Sequence, residues 1–414
     1  MNTAKRFLTR LTAVTLAICV TFLCSCVPKK IEVEEYPGFE PAEETSTEKT
    51  TEEKTIPVED IEEKGGMTDK EFEDFIAIPD PFEETGKFQF CPDAIPDFYA
   101  RRYRENPKII YVAKQMMKAV YNCKTEFEIP PEYELDIEEW WTAINLARMS
   151  CPLIDACSVG PSFDEDPLHY YVTYMPKTVM SLNEEGEIDE ENYTELDEVE
   201  ASKMVNDYTD FVQTIIDNNV TKDDSDIEKA EKIYKALIKE ISCREKNPYE
   251  DQTVFDSMEE IVEAYNNQTT IVEDIIYEKC SNQSRIAFFY QYILTQLNIE
   301  CMTVTSSGGY INQGIEKLDK AMGSDGRNIW NVIVVNGNPY NCDLAFDMFT
   351  YEYEKSENPD YEPELKYFGM SDSTRAESFN VINRDTLFLY DPSVNYEWDN
   401  PPRDMVPECP KDYK

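Results

Sequence analysis

Histidine is all but missing from this sequence: its 414 residues contain one, His169. Imidazole is the usual general base and a common metal ligand near neutral pH, so a histidine-built metal centre is excluded. Any imidazole-dependent chemistry is confined to that one position. Basic residues are also short, with 39 Lys and Arg against 84 Asp and Glu, for a formal net charge of −45. Binding nucleic acid needs a basic footprint that replaces phosphate counterions, so nucleic acid is excluded as a partner. Glycine is scarce, at 13 residues, and neither a Gly-rich phosphate loop nor a G-x-S-x-G elbow is present. No Cys-x-x-Cys pair occurs, which removes zinc ribbons and thioredoxin-like redox sites. The acidic stretches lack the spaced Asp/Asn–Gly–Glu loop of a calcium site. No metal and no cofactor are expected.

Long apolar runs are absent too. The run "LTAVTLAICVTFL" has 13 residues and follows "MNTAKRFLTR", with Lys5, Arg6 and Arg10. A membrane-spanning helix needs about 20 apolar residues, so this is the charged and apolar start of an export signal. It ends in "LCSC", Leu23–Cys26, which resembles the bacterial lipoprotein lipobox, with Cys26 as the residue that receives lipid. A plain secretory cleavage site needs no terminal cysteine. The expectation is a signal segment over 1–26 and a chain anchored by lipid on the extracytoplasmic face of the cell membrane. Residues 27–66 then read as a disordered acidic tether, since 31–66 hold 13 acids and 3 lysines with little that can form a core. Nine cysteines follow Cys26, an odd number in a chain large enough to do without crosslinks, so few or no disulfides are expected.

Folded structure is expected from Asp69–Phe75 onward. "NPKIIYVAKQMMKAVYNCK" has helical spacing at Ile110, Val112, Met116, Met117 and Val120, and "DIEEWWTAINLARMS" reads as a second helix. "LHYYVTYM" alternates as a strand and contains His169, which reads as structural; Val199–Asn218 is a further helix. These form a smaller α+β region over 67–220. A second region, 221–392, opens with a helix capped by Asp224 or Ser225 and striped with Ala230, Ile233, Tyr234, Leu237 and Ile241. After it come a helix at "SRIAFFYQYILTQ", a strand at "IECMTVTSS", a strand at "NIWNVIVV", an Asn-Gly turn, and "NPYNCDLAFD" as another strand. Residues 393–414 read as a C-terminal tail.

The order of a cysteine-led helix and then strands carrying a histidine and an aspartate is that of the transglutaminase-like superfamily, and this sequence resembles it over about 225–375. "NIWNVIVVNGNPYNCDLAFD" fits without a gap to the family form H-A-W-N, strand, D-G-K, Y, V-D-x-T-W-D, matching at Trp330, Asn331, Gly337, Tyr340, Asp343 and Asp347. "YFGMSD", Tyr367–Asp372, resembles the segment that often follows. The resemblance implies an α+β, papain-like core with a helix packed on an antiparallel sheet. It also implies a triad of cysteine nucleophile, histidine base and orienting aspartate.

Asp343 matches the family aspartate, but the histidine position holds Asn328. An amide has no proton equilibrium near neutral pH and serves as neither base nor imidazolium partner. The gapless register, with Ala287, Tyr290, Ile293, Leu294 and Leu297 in matching places, puts Gln283 in the nucleophile position; three extra residues would put Cys280 there. In either register the triad is broken. The expectation is therefore a lipid-anchored surface protein whose domain is inactive and serves as a protein- or peptide-binding scaffold. The alternative is a working cysteine peptidase or acyltransferase that uses Cys280 with Asn328 and Asp343. A purely structural envelope protein is a third reading.

Overall fold

The structure, a computed structural model, describes residues 67–82, 86–162, 166–174, 178–179, 192–193, 195–243, 257, 260, 262, 270–307, 327–378, 384–386 and 406–413. The expected signal, Cys26 and the tether lie outside the described residues. So do residues 308–326 and 387–405. The described chain is α+β, with helices and antiparallel sheets.

The first region opens with α1 (Asp69–Ile76), where Thr68 and Glu71 satisfy each other's backbone N–H groups in a reciprocal cap. Next come α2 (Asp97–Arg102) and α3 (Pro107–Tyr121), and all five apolar positions expected on the buried face of α3 are buried. β1 (Glu126–Glu128) precedes α4 (Ile137–Ser150), which Asp136 and Glu139 cap in the same reciprocal way. β2 (Cys157–Ser162) and β3 (Asp166–Tyr174) complete a three-stranded antiparallel sheet in the order β1-β3-β2. His169 lies on β3 opposite Glu128, with Nε2 3.0 Å from the Glu126 carboxylate and Nδ1 3.6 Å from that of Glu128. It therefore sits on the central strand of this small sheet, beside two carboxylates of β1.

The two-residue strands β4 (Thr178–Val179) and β5 (Asn192–Tyr193) pair with each other and lead to α5 (Glu198–Asn219). In the second region, α6 (Asp226–Glu240) is capped by Ser225 with Glu228, and its whole expected stripe is buried. β6 (Ser242–Cys243) pairs in parallel with β7 (Cys280–Ser281), which follows a π-helical turn at Glu273–Glu278. Then come α7 (Gln283–Gln296), β8 (Glu300–Ser307), β9 (Arg327–Val335), β10 (Asn338–Cys342), α8 (Leu344–Glu357), β11 (Phe368–Met370), α9 (Asp372–Ala376) and β12 (Arg384–Thr386). The five strands from β8 onward form one antiparallel sheet in the order β11-β10-β9-β8-β12. The turn between β9 and β10 is the expected Asn-Gly, with φ of 51° at Asn336 and 71° at Gly337, the double positive φ that suits a two-residue hairpin.

α7 lies on one face of this sheet. Asn331 on β9 donates to the Ala287 carbonyl at 2.9 Å, and Thr303 N on β8 donates to Gln291 Oε1 at 2.8 Å. The far side of α7 is covered by the N-terminal region, where Gln296 makes two bonds with the Cys91 backbone. The same region reaches the sheet-facing Gln291: Tyr99 donates its hydroxyl proton to Oε1 at 3.1 Å, and Gln291 donates to Met149 O at 2.9 Å. Phe289 packs against the rings of Tyr208 and Phe211. Enclosure on both sides is why this helix is apolar on most faces. One apolar cluster joins the two regions from Phe72 to Phe368. None of the nine cysteines after Cys26 is in a disulfide, in line with the expectation from chain size.

"NPYNCDLAFD" departs from its expected strand. The strand stops at Cys342, because the Asp343 side chain accepts from Phe346 N at 3.3 Å and starts α8. Of the expected tail, residues 406–413 lie against β11 and α9, with Cys409 fully buried.

Candidate functional site

The approach to α7 is held from below by a buried carboxylate. Asp274, in the π-helical turn, accepts from Arg285 Nη1 at 2.6 Å and from Ser281 Oγ at 2.9 Å, and its residue is 0% exposed. Asn282 caps the helix, its side chain accepting from Arg285 N at 3.0 Å and from the Ser284 hydroxyl at 2.8 Å. Both ends of the turn are tied down, so the first residue of α7, Gln283, projects from a fixed place.

Gln283 Nε2 donates to Asn328 Oδ1, and Asn328 Nδ2 donates to Asp343 Oδ2 at 3.1 Å. The three residues that the gapless register assigned to the triad therefore stand in one hydrogen-bonded line. Asn328 and Asp343 are both 0% exposed, and Gln283 is part-exposed. A fourth residue completes the arrangement. The Arg375 guanidinium, from α9, lies 3.6 Å from Asp343 Oδ2 and stacks 3.6 Å from the centre of the Trp330 ring. Trp330 Nε1 donates to Asn341 Oδ1 at 2.8 Å, and Asn341 donates to Asp372 Oδ1 at 2.9 Å, so the layer beneath the guanidinium is itself fixed. Burial pushes the Asp343 carboxyl above its ordinary value, against the pull of Arg375, Asn328 and the Phe346 N–H.

Cys280 is not part of this line. It sits in β7 beside Ser242. Ser281 shares that strand and Asn282 is extended, with φ −81° and ψ 167°. Three extended steps put roughly 10 Å between the α-carbons of positions 280 and 283. Among the described residues, Cys280 hydrogen-bonds to neither Asn328 nor Asp343. Cys301 and Cys342, in the sheet, are fully buried thiols that burial holds well above the ordinary thiol range. The line Gln283–Asn328–Asp343 contains no thiol and no imidazole. It can donate and accept hydrogen bonds. Sequence reasoning missed Arg375 and the Asp274–Arg285 pair: neither lies in a motif, and only folding brings them to Asp343 and to the start of α7.

Asp347, one turn into α8, is a third buried carboxylate here. It accepts from the Tyr234 hydroxyl at 2.7 Å and from Lys366 N and Tyr367 N, both at 2.9 Å. Burial, with nearby Asp343 adding to it, raises its carboxyl from 3.8 to about 7 in spite of these bonds. The folded state therefore holds a proton that the unfolded state releases, between roughly pH 4 and pH 7. The stability contributed by neutral Asp347 is complete below the unfolded value and is lost as pH rises through about 7. Urea denaturation is expected to show stability falling across pH 5 to 7.5, by at most about 1.4 kcal/mol per unit from this group. Asp347→Asn should flatten that slope; an unchanged slope in the variant would assign it to other carboxylates.

No protein-family model matches this chain and no curated protein matches it, so the site is read from its own geometry.

Proposed function

We propose that this is a surface lipoprotein, held to the membrane through Cys26, whose transglutaminase-like, papain-like domain is catalytically inactive and acts as a protein- or peptide-binding scaffold. The observation that carries the reading is the hydrogen-bonded line Gln283–Asn328–Asp343, which has the order of a triad and consists of two carboxamides and a carboxylate. Acyl transfer by a thiol needs a thiolate and a proton carrier in contact. Here the place of each is taken by an amide that has neither property. Arg375 supports the same reading, because it supplies Asp343 with the cationic neighbour that an imidazolium would otherwise provide. Among the described residues no helix is long and apolar enough to cross a membrane.

The test is native-state alkylation. At neutral pH, iodoacetamide is expected to label Cys280 no faster than Cys123, another part-buried thiol remote from the line. Rapid labelling of Cys280 that Asp343→Ala abolishes would sink the inactive reading and favour a thiol peptidase or acyltransferase.

A further inference from the structure

β11 is the outermost strand at its end of the five-stranded sheet, and a segment from the far C-terminus lies along it. Tyr413 N donates to Gly369 O at 2.8 Å, Asp372 N donates to Cys409 O at 2.8 Å, and Cys409 N donates back to Asp372 Oδ2 at 2.9 Å. Position 413 beside 369 and 409 beside 372 make the segment antiparallel to β11. Asp412 accepts from Ser371 N at 2.6 Å and from the Thr374 hydroxyl at 2.9 Å. The Tyr413 ring meets those of Tyr340 and Phe368 at 6.0 and 6.2 Å. Gly369, at φ +75°, permits the approach, since a β-carbon there would sit 2.8 Å from Tyr413 Cβ. Cys409 fills a hollow among Met302, Val304, Trp330 and Val332 on the face of the sheet turned away from α7.

These are the parts of a strand-addition ligand: a main-chain bond to the edge strand and a second at the helix start just beyond it, one small apolar side chain in a hollow, then a carboxylate and an aromatic ring in fixed places. The cluster around Cys409 is separate from the main core. Nineteen residues, 387–405, separate the segment from β12 in the chain. A unit with its own small cluster and few bonds opens at lower free energy than the body it rests on. Pro407 and Pro410 have no N–H to offer a further strand, so the outer rim is blunted against pairing with another chain.

We propose that the groove formed by β11, Ser371–Thr374 and the Trp330 face is a docking site for an extended peptide, and that residues 406–413 are its resident, releasable occupant. A partner carries the same pattern, a small apolar residue, a carboxylate three positions later and an aromatic next to it, and binds by replacing the segment. The proposal rests on the binding-module reading and gives it a location and a partner chemistry.

The full chain with the synthetic peptide VPEAPKDY tests it, using alkylation of Cys409 as the readout and Cys301 and Cys342 as buried references. Cys409 is expected to react at least about tenfold faster than either reference under native conditions. Its rate should rise further with VPEAPKDY at millimolar concentration and stay unchanged with VPEAPKAA. Cys409 reacting in step with Cys301 and Cys342, or indifference to VPEAPKDY, overturns the proposal. A reactive Cys280 would overturn the inactive reading and leave this result untouched, so the two failures are distinguishable.

Discussion

Arg375→Met is expected to destabilise the chain by about 3–5 kcal/mol at pH 8, the usual cost of removing one partner from a buried ion pair. Both members are essentially excluded from water, Arg375 at 1% and Asp343 at 0% exposure, so solvent screening offers little relief. Methionine preserves much of the packing on Trp330, and what it removes is the positive charge 3.6 Å from Asp343 Oδ2. The Asp343 carboxyl is already raised by burial, with Arg375 as the first of the groups opposing the rise. Without Arg375 it rises further and folding takes up a proton at Asp343. The penalty should therefore be greatest at high pH and shrink as pH falls through the new value. Adding Asp343→Asn to Arg375→Met removes the uncompensated charge and should recover much of the loss at pH 8. Urea midpoints at pH 5 and pH 8 for the wild type, both single variants and the double variant settle the matter. Equal losses for Arg375→Met at both pH values would assign its role to packing on Trp330.

Much of this fold is legible in the sequence where local chemistry and global structure agree. The stripe of α6, a cap at Asp224 or Ser225 and the Asn336–Gly337 hairpin each depend on residues close together in the chain, so spacing alone reveals them; the structure puts the cap at Ser225. Legibility fails where the deciding partner is distant. "NPYNCDLAFD" keeps a strand-like alternation through Tyr340, Cys342 and Leu344, and only the carboxylate of Asp343, turning back to Phe346 N, makes it a strand that breaks into a helix. α7 reads as a helix lying on a sheet, but its second covered face is set by Phe90 and Tyr208, which come from the other region. The order Gln283, Asn328, Asp343 follows from a gapless register, whereas Arg375 sits in the polar run "SDSTRAES" and gives no sign of its place beside Asp343. The C-terminal segment is similar: "VPECPKDY" looks like a tail until β11 gives it a strand to lie along.

Placing a thiol and an imidazole in the line is expected to give it thiol chemistry. In Gln283→Cys alone, a thiol with the ordinary value of about 8.5 is roughly 1% ionised at pH 6.5. Adding Asn328→His puts an imidazole between it and Asp343, where Asn328 now touches both Gln283 and Asp343 Oδ2. A thiol beside an imidazolium held by a carboxylate falls to about 6 or lower, so most of it is thiolate at pH 6.5. The lower basicity of that thiolate trims its nucleophilicity. The net expectation is alkylation at position 283 roughly 4- to 8-fold faster in the double variant than in Gln283→Cys alone. The imidazole must also compete with Arg375 for Asp343 Oδ2, which tends to lower the gain within that range. Adding Asp343→Asn should cancel it, because the ring loses both its orienting partner and the charge that stabilises its protonated form. Mass-spectrometric rates at pH 6.5 give the answer for each variant. A gain that survives Asp343→Asn would show that the imidazole acts without the aspartate. No gain at all would show that the line resembles a triad in its order and not in its working geometry.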